Sequence, residues 1–305
     1  MVSLQPNMLL ATLVLPLAGV ALAGGDRARV RQSALVTTTI NFLLAAFLVL
    51  QYLPGTEAFA LVDWAWLGGT DAPVDIRFSI ALDGLSLWLF ALTTLLMVVA
   101  VLVSWEAIRE HASTYYRLLL LLETGMLGVF VARDIILFYV FFEFTLIPLF
   151  FLIGIWGSEQ RRHAAVKFFL FTLAGSLLTF LGLLAIVLWD YQASPLGRMT
   201  FSIPQLTANL AGNPMPFGLQ LAVFVALFAG FAIKVPLFPL HTWLPLAHVQ
   251  APTAGSVILA GVLLKIGTYG FLRFNLPMLP EAAKAWAPVI GILAVIGIIY
   301  GAWVS

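Results

Sequence analysis

Three charged side chains interrupt apolar stretches that are long enough to cross a lipid bilayer. They are Glu143, Lys234 and Lys265. A charge near the bilayer centre costs roughly 2.5–3.5 kcal/mol on insertion scales, so it is kept where it faces protein or a water-filled path. Buried carboxylate and ammonium groups can exchange protons, which is the chemistry that moves protons or cations across a membrane.

The stretch around Lys234 also carries closely spaced prolines, Pro236 and Pro239. Proline has no backbone N–H, so these two residues are predicted to leave the carbonyls of Ala232 and Val235 without helical donors. Two such carbonyls beside a lysine predict a broken helix, and broken helices at membrane depth line cavities in transporters. The alternative is a kink that serves packing only.

Glu143 lies five residues before Pro148 in the same apolar stretch. Pro148 is predicted to free the carbonyl of Phe144, and a free carbonyl beside a carboxylate is a place for water. The alternative is a glutamate that hydrogen-bonds to a neighbouring helix for packing alone. A charge at mid-span favours a functional role.

Lys265 is surrounded by the small residues Gly261, Gly267 and Gly270. Small residues let membrane helices approach closely, so Lys265 is predicted to face the helix bundle. The alternative is a lysine that extends its side chain to the membrane surface. That is disfavoured because Lys265 lies roughly a dozen residues from either end of its predicted span.

Three further residues are weaker candidates for a proton path. Glu123 lies within the fourth predicted span and is predicted to point inward. His241 and His248 flank the WLP segment, and histidine suits proton transfer near neutral pH. The histidines could equally cap the helix break, and no third ligand at suitable spacing supports a metal site.

The composition is that of a polytopic membrane protein. Of 305 residues, 62% are hydrophobic and 10% are charged, where soluble domains carry about 25% charged residues. Cysteine is absent, which excludes disulfides and cysteine-ligated iron–sulfur clusters in this chain. A net charge of +1 gives no electrostatic case for nucleic acid. The predicted fold is an all-α transmembrane bundle with a broken seventh helix and nine spans, at about 8–25, 34–53, 84–105, 116–132, 135–156, 164–189, 218–243, 253–274 and 286–304.

Basic residues in the loops predict an orientation. Eight lie on the side of the 26–33 loop and five on the other, so the N-terminus is predicted outside. The eight are Arg27, Arg29, Arg31, Arg109, Arg117, Arg161, Arg162 and Lys167, and the five are Arg77, Arg133, Arg198, Arg273 and Lys284. Ser305 ends the sequence within an apolar run, which suggests a chain cut short.

Three segments resemble the antiporter-like, proton-pumping membrane subunits of NADH–quinone oxidoreductase (respiratory complex I). They are LDGLSLWLFALTTLL (82–96), FYVFFEFTLIPLFFLIGIWG (138–157) and HTWLPLAHVQAPTAGSVILAGVLLKIGTYGFLR (241–273). The resemblance extends over essentially the whole chain from about residue 80. Related subunits occur in Mrp-type antiporters and in membrane-bound hydrogenases.

The resemblance implies about fourteen transmembrane helices with two inverted five-helix repeats, each containing a broken helix. This sequence would then hold helices 1–3 (1–115), the first repeat (116–275) and the start of the second (276–305). Glu143 would be the carboxylate that pairs with the broken-helix Lys234, and Lys265 would pass protons toward the second half. The acidic residue of the family's twelfth helix has no counterpart here.

The resemblance also implies partners. Other complex I membrane subunits, including antiporter-like neighbours, would surround the chain in the bilayer. NADH, FMN, iron–sulfur clusters and quinone would be bound by partner subunits, with no cofactor or metal in this chain. A bacterial inner (plasma) membrane is the implied location, and electron transfer in the partners would drive proton pumping. The alternatives are an Mrp-type cation/proton antiporter subunit, a membrane-bound hydrogenase subunit and a purely structural scaffold.

Overall fold

The computed structural model describes residues 4–68, 72–193 and 197–304, so Ser305 lies outside the described residues. Within these ranges, nine helical spans are long and apolar enough to cross a membrane. The predicted transmembrane bundle of nine helical spans is therefore confirmed for these residues. The spans are Leu4–Leu22 (α1), Arg27–Gln51 (α2), Ser86–Val103 (α3), Ala112–Val131 (α4), Ile135–Trp156 (α5 and α6), Arg161–Ala193 (α7), Phe217–Lys234 (α9), Thr253–Met278 (α11 to α13) and Pro280–Val304 (α14).

Several spans are composite because the backbone leaves the α-helical geometry within them. The fifth consists of α5 (Ile135–Phe144) and α6 (Leu146–Trp156). The eighth contains α11 (Thr253–Ile258), α12 (Leu264–Gly270) and α13 (Leu276–Met278), separated by two π-helical turns. These turns are π1 (Leu259–Leu263) and π2 (Phe271–Asn275). Two short helices lie outside the spans, α8 (Ile203–Gly212) and α10 (Leu244–Gln250).

Helix α4 is the centre of the bundle and is buried along almost its whole length. Helices α1, α2, α3 and α5 pack around it. Glycine permits the close approach of α5, because a Cβ at Gly128 would lie 2.3 Å from the ring of Phe141. The longest helix, α7, packs along α9, where a Cβ at Gly230 would lie 2.1 Å from the Thr179 hydroxyl.

A small sheet that the sequence analysis did not predict covers one end of the bundle. Strands β1 (Phe59–Gly68) and β2 (Val74–Leu82) are antiparallel, with Asp63 opposite Ser79, and β3 (Met199–Thr200) pairs parallel to β2.

Ion pairs link charged side chains across the sheet. The Arg77 guanidinium lies 2.8 Å from the Asp63 carboxylate, and Arg198 lies 3.0 Å from Asp75. The hydrogen bond from Arg77 outweighs the effect of burial and lowers the pKa of Asp63. The charges of these strands are therefore largely satisfied within the sheet.

Candidate functional site

The fifth span positions Glu143. Its N-terminus is capped by Asp134, whose Oδ1 accepts hydrogen bonds from the amides of Ile136 (2.8 Å) and Leu137 (3.3 Å). The α-helix is interrupted at Thr145, immediately before the segment that contains Pro148. Glu143 therefore lies in the last turn of α5, beside a backbone irregularity, as the position of Pro148 predicts.

The Glu143 side chain is half-buried and incompletely paired. Its Oε1 is buried and has no hydrogen-bond partner among the described residues. The hydroxyl of Tyr139, one helical turn earlier, interacts with the Glu143 carboxylate and with Ser176 of α7. A buried carboxylate oxygen without a protein donor is a position where water or a moving proton can bind.

The seventh span is broken at Lys234, as predicted. Helix α9 ends at Lys234 and α10 begins at Leu244, so the helix ends earlier than the predicted limit of 243. The intervening residues contain Pro236 and Pro239, which have no N–H with which to continue the helix.

The carbonyls at the break differ from the sequence prediction. The Ala232 carbonyl was predicted to be free, but it accepts a hydrogen bond of 2.9 Å from the Leu237 amide. The next carbonyl, that of Ile233, accepts one of 2.9 Å from the indole Nε1 of Trp243. That prediction was therefore wrong for Ala232, because the chain curls back after Pro236 and supplies new donors.

Lys234 is almost completely enclosed, with 4% of the residue exposed. Its ammonium nitrogen lies 3.8 Å from the centroid of the Phe142 ring, which is cation–π contact. Glu143, the next residue after Phe142, attracts the ammonium electrostatically. Among the described residues, the direct ion pairs do not include Glu143 with Lys234. The two charges are therefore coupled beside an aromatic ring without forming a closed salt bridge.

A small cavity borders Lys234. Its water-accessible volume is about 10 Å³, close to the space that one water molecule needs. Its walls include the hydroxyl-bearing Thr145 and Thr172 together with Trp243. The buried ammonium thus adjoins a space of one-water size whose walls are mostly apolar and include two threonines.

Lys265 does not face the bundle, contrary to the sequence prediction. It lies on the exposed side of α12 and donates a hydrogen bond to the Ala260 carbonyl in π1. The packed face of the helix is formed by Gly267 and Gly270, where added Cβ atoms would lie 2.6 Å from Val235 and 2.3 Å from Phe231. The glycines do bring the helices together, but they occupy the face that Lys265 was predicted to occupy.

The weaker candidates lie in different places. Glu123 is fully buried in α4 and accepts a hydrogen bond of 2.7 Å from Asn41 of α2. His241 lies within the helix break and packs between Phe238 and Tyr300, whereas His248 is exposed at the end of α10. The structure therefore groups Glu143 with Lys234, but it gives no contact of Glu123 or His248 with that pair.

Sequence reasoning missed the uncharged residues around the pair, namely Phe142, Trp243, Tyr139 and Ser176. Trp243 and Phe142 adjoin motif residues in sequence, but nothing in their pattern separates them from ordinary packing aromatics. Tyr139 precedes Glu143 by four residues, so helical spacing could have indicated their contact. Among the described residues, no three His, Asp or Glu side chains converge as ligands of a metal would.

Comparison with known proteins places this geometry in a family. Residues 132–305 match the family described as NADH:quinone oxidoreductase/Mrp antiporter, TM. NADH-quinone oxidoreductase subunit M of Rhodobacter capsulatus is 41% identical over 274 residues, which cover 89% of this chain and 52% of the relative. NADH-ubiquinone oxidoreductase chain 4 of Arabidopsis thaliana is 45% identical over 273 residues, with the same two coverages.

A solved structure supports the same assignment. A chain of respiratory complex I from Thermus thermophilus superposes with a TM-score of 0.82 and 34% identity, covering 97% of this chain and 58% of that chain. The present chain thus spans about half the length of the curated relatives that it matches. With nine spans among the described residues, a helix broken at a buried lysine and these matches, the chain belongs to the NADH:quinone oxidoreductase/Mrp antiporter family of membrane subunits.

Proposed function

We propose that this chain is a proton-translocating membrane subunit of an NADH:quinone oxidoreductase. One observation carries the proposal: Lys234 is a buried ammonium at a helix break, coupled to Glu143 and adjacent to a cavity of one-water size. The charged form of a lysine in such a place is stabilised by only a few specific interactions. Small changes in its surroundings therefore shift the balance between keeping and releasing its proton.

In the proposed cycle, water from the cytoplasmic side brings a proton to Lys234. The Glu143 carboxylate stabilises the ammonium. Cation–π contact with the Phe142 ring adds about 2 kcal/mol of stabilisation when the ammonium is desolvated. A charge rearrangement in a neighbouring subunit weakens the attraction of Glu143. Lys234 then releases its proton toward Lys265, with the cavity beside Thr145 and Thr172 supplying the first water.

The exposed position of Lys265 on the described bundle supports its proposed role as the next proton carrier. A charged group on the membrane-embedded surface of the described bundle is unfavourable in contact with lipid alone. A covering polar or protein surface would relieve that cost and receive the proton. Within this proposal, residues 116–275 form the proton-translocating repeat, with helices 1–3 at 1–115 and a second repeat beginning at 276.

The proposal includes partners and location. The protein is a multi-pass membrane protein with the N-terminus outside, as the basic loop residues favour. Its partners are the other membrane subunits of the oxidoreductase, in a bacterial inner membrane. The electron carriers and quinone are bound by those partners. An Mrp-type antiporter or hydrogenase subunit would use the same charged residues, but relatives at 41% and 45% identity favour the oxidoreductase.

The test replaces each charge of the pair with a neutral side chain of similar size. Glu143→Gln and Lys234→Met are introduced into the chain within its native membrane assembly. We expect NADH-driven proton uptake into vesicles to fall at least tenfold, while the amount of assembled complex is unchanged. The matched controls are Glu159→Gln and Lys284→Met, which neutralise exposed residues of the same types.

Two outcomes would contradict the proposal. Normal proton uptake in an assembled Glu143→Gln complex would remove the carboxylate from the mechanism. Sodium-dependent proton movement without NADH oxidation would instead assign the chain to an antiporter.

A further inference from the structure

A buried glutamate and a buried asparagine face each other in the bundle, and both are distant in sequence from Lys234. Glu123 of α4 and Asn41 of α2 are each fully buried. The Asn41 amide nitrogen donates a hydrogen bond of 2.7 Å to Oε1 of Glu123. The ion pairs formed by described residues do not include Glu123. An ionised carboxylate in this place would therefore lack the compensating cation that buried charges require.

The remaining atoms of the pair form a complementary set. Oε2 of Glu123 and Oδ1 of Asn41 are both buried, and neither has a hydrogen-bond partner among the described residues. Both atoms are acceptors when Glu123 is ionised, so each would remain unsatisfied, and a buried acceptor without a donor is unfavourable. A proton on Oε2 turns one of the two acceptors into a donor, and the unpaired amide oxygen belongs to the residue that is already hydrogen-bonded to Oε1.

We propose that Glu123 is a neutral carboxylic acid joined to Asn41 by two reciprocal hydrogen bonds. The amide N–H donates to Oε1, and the acid O–H donates to the amide oxygen. This closed acid–amide pair leaves no buried polar atom of either side chain unpaired, and it carries no charge that needs a counterion. It links α2 to the central helix α4 within the apolar interior.

The pair also makes Glu123 a poor proton carrier. Moving its proton breaks the hydrogen bond from the acid O–H and leaves a carboxylate without a counterion in an apolar interior. Glu123 therefore keeps its proton and fixes α2 against α4, while proton exchange takes place elsewhere in the chain. This inference concerns the state of one side chain and does not depend on the proposed function.

Infrared difference spectroscopy of the whole purified chain at neutral pH tests the pair directly. A protonated carboxyl has a carbonyl stretch that is separate from the carboxylate bands and shifts in heavy water. We expect the spectrum of the wild type minus that of Glu123→Gln to show one protonated-carboxyl band. Glutamine can form the same two hydrogen bonds to Asn41, so this variant should fold and remove only the acid.

The double variant Asn41→Asp/Glu123→Gln exchanges the acid and the amide between the two helices. It should restore one protonated-carboxyl band, because the closed pair needs one acid and one amide and either helix can supply the acid. The alternative outcome is a difference spectrum with carboxylate bands and no protonated-carboxyl band. That result would show that Glu123 is ionised, and the proposal would be wrong.

Discussion

Neutralising Asp134 tests which of two opposing effects controls a buried carboxylate. Asp134 is fully buried, and it accepts hydrogen bonds from three backbone amides: those of Ile136, Leu137 and, at 3.0 Å, Arg77. Amide donors favour the ionised form of a carboxyl, whereas burial favours the neutral form. Burial has the larger effect and raises the pKa of Asp134 to about 6.

The direction of the pH dependence follows from that raised pKa. The folded protein binds a proton at Asp134 more tightly than the unfolded chain, where the pKa is 3.8. The stabilisation is therefore fully present below the unfolded pKa and is lost as the pH rises through about 6. The gap from 3.8 to about 6, at 1.36 kcal/mol per unit, corresponds to about 3 kcal/mol of unfolding free energy.

The measurement compares the wild type with Asp134→Asn, which cannot titrate at this position. Unfolding free energies are obtained from reversible denaturation in mixed detergent micelles between about pH 4 and about pH 8. The difference between the two proteins cancels most other titrations. Because this range begins just above the unfolded pKa, we expect the wild type to lose about 2.4 kcal/mol of the full difference relative to the variant.

Asp63→Asn is the matched control because the pKa of Asp63 moves in the opposite direction. The hydrogen bond from Arg77 lowers that pKa, so the stabilisation by Asp63 is present above its unfolded pKa and is lost as the pH falls. A flat difference for Asp134→Asn, or one that favours the wild type at high pH, would refute the reasoning. The three amide donors would then hold the carboxylate ionised.

Two further substitutions test the packing around the broken helix. Trp243→Phe removes the indole donor to the buried Ile233 carbonyl. It should lower the unfolding free energy by about 1–3 kcal/mol, measured by the same denaturation. The control Trp286→Phe changes a partly buried indole of α14 and should have a smaller effect. Gly230→Ala places a Cβ 2.1 Å from Thr179 and 2.5 Å from the Gly175 carbonyl, so it should destabilise the protein by about 1–3 kcal/mol. In the same helix, Gly218→Ala meets no atom within 4 Å and should stabilise by about 0.5–1 kcal/mol. Equal effects of the two alanines would contradict the close packing of α7 on α9.

The sequence predicts the spans and the break well because both depend on local chemistry. Long apolar runs must form helices in a bilayer, and residues that lack an N–H must interrupt them. The end of α9 at Lys234 follows from the prolines just beyond it. What the chain does after the break depends on tertiary contacts. The hydrogen bond from Trp243 back to Ile233 therefore could not be read from the sequence.

The sheet was missed although one signal for it is present. Residues 74–80, VDIRFSI, alternate strictly between apolar and polar, which is typical of a strand with one buried face. The partner strand contains FALVDWAWLG, whose apolar residues do not alternate and whose side chains are mostly exposed. The cross-strand ion pair of Arg77 with Asp63 links positions that only the folded register reveals.

The π turns of the eighth span divide it into segments whose angular phases differ. An α-helix turns by about 100° per residue, and a π turn accommodates an extra residue in one turn. The angular phase of the helix therefore slips at π1 and again at π2. A helical wheel that uses a single α-helical period through residues 253–278 therefore misplaces the residues that lie beyond a π turn. Lys265 shares the segment between the two slips with Gly267 and Gly270, and at about 100° per residue it lies about 200° and about 140° from them, on the other side of α12.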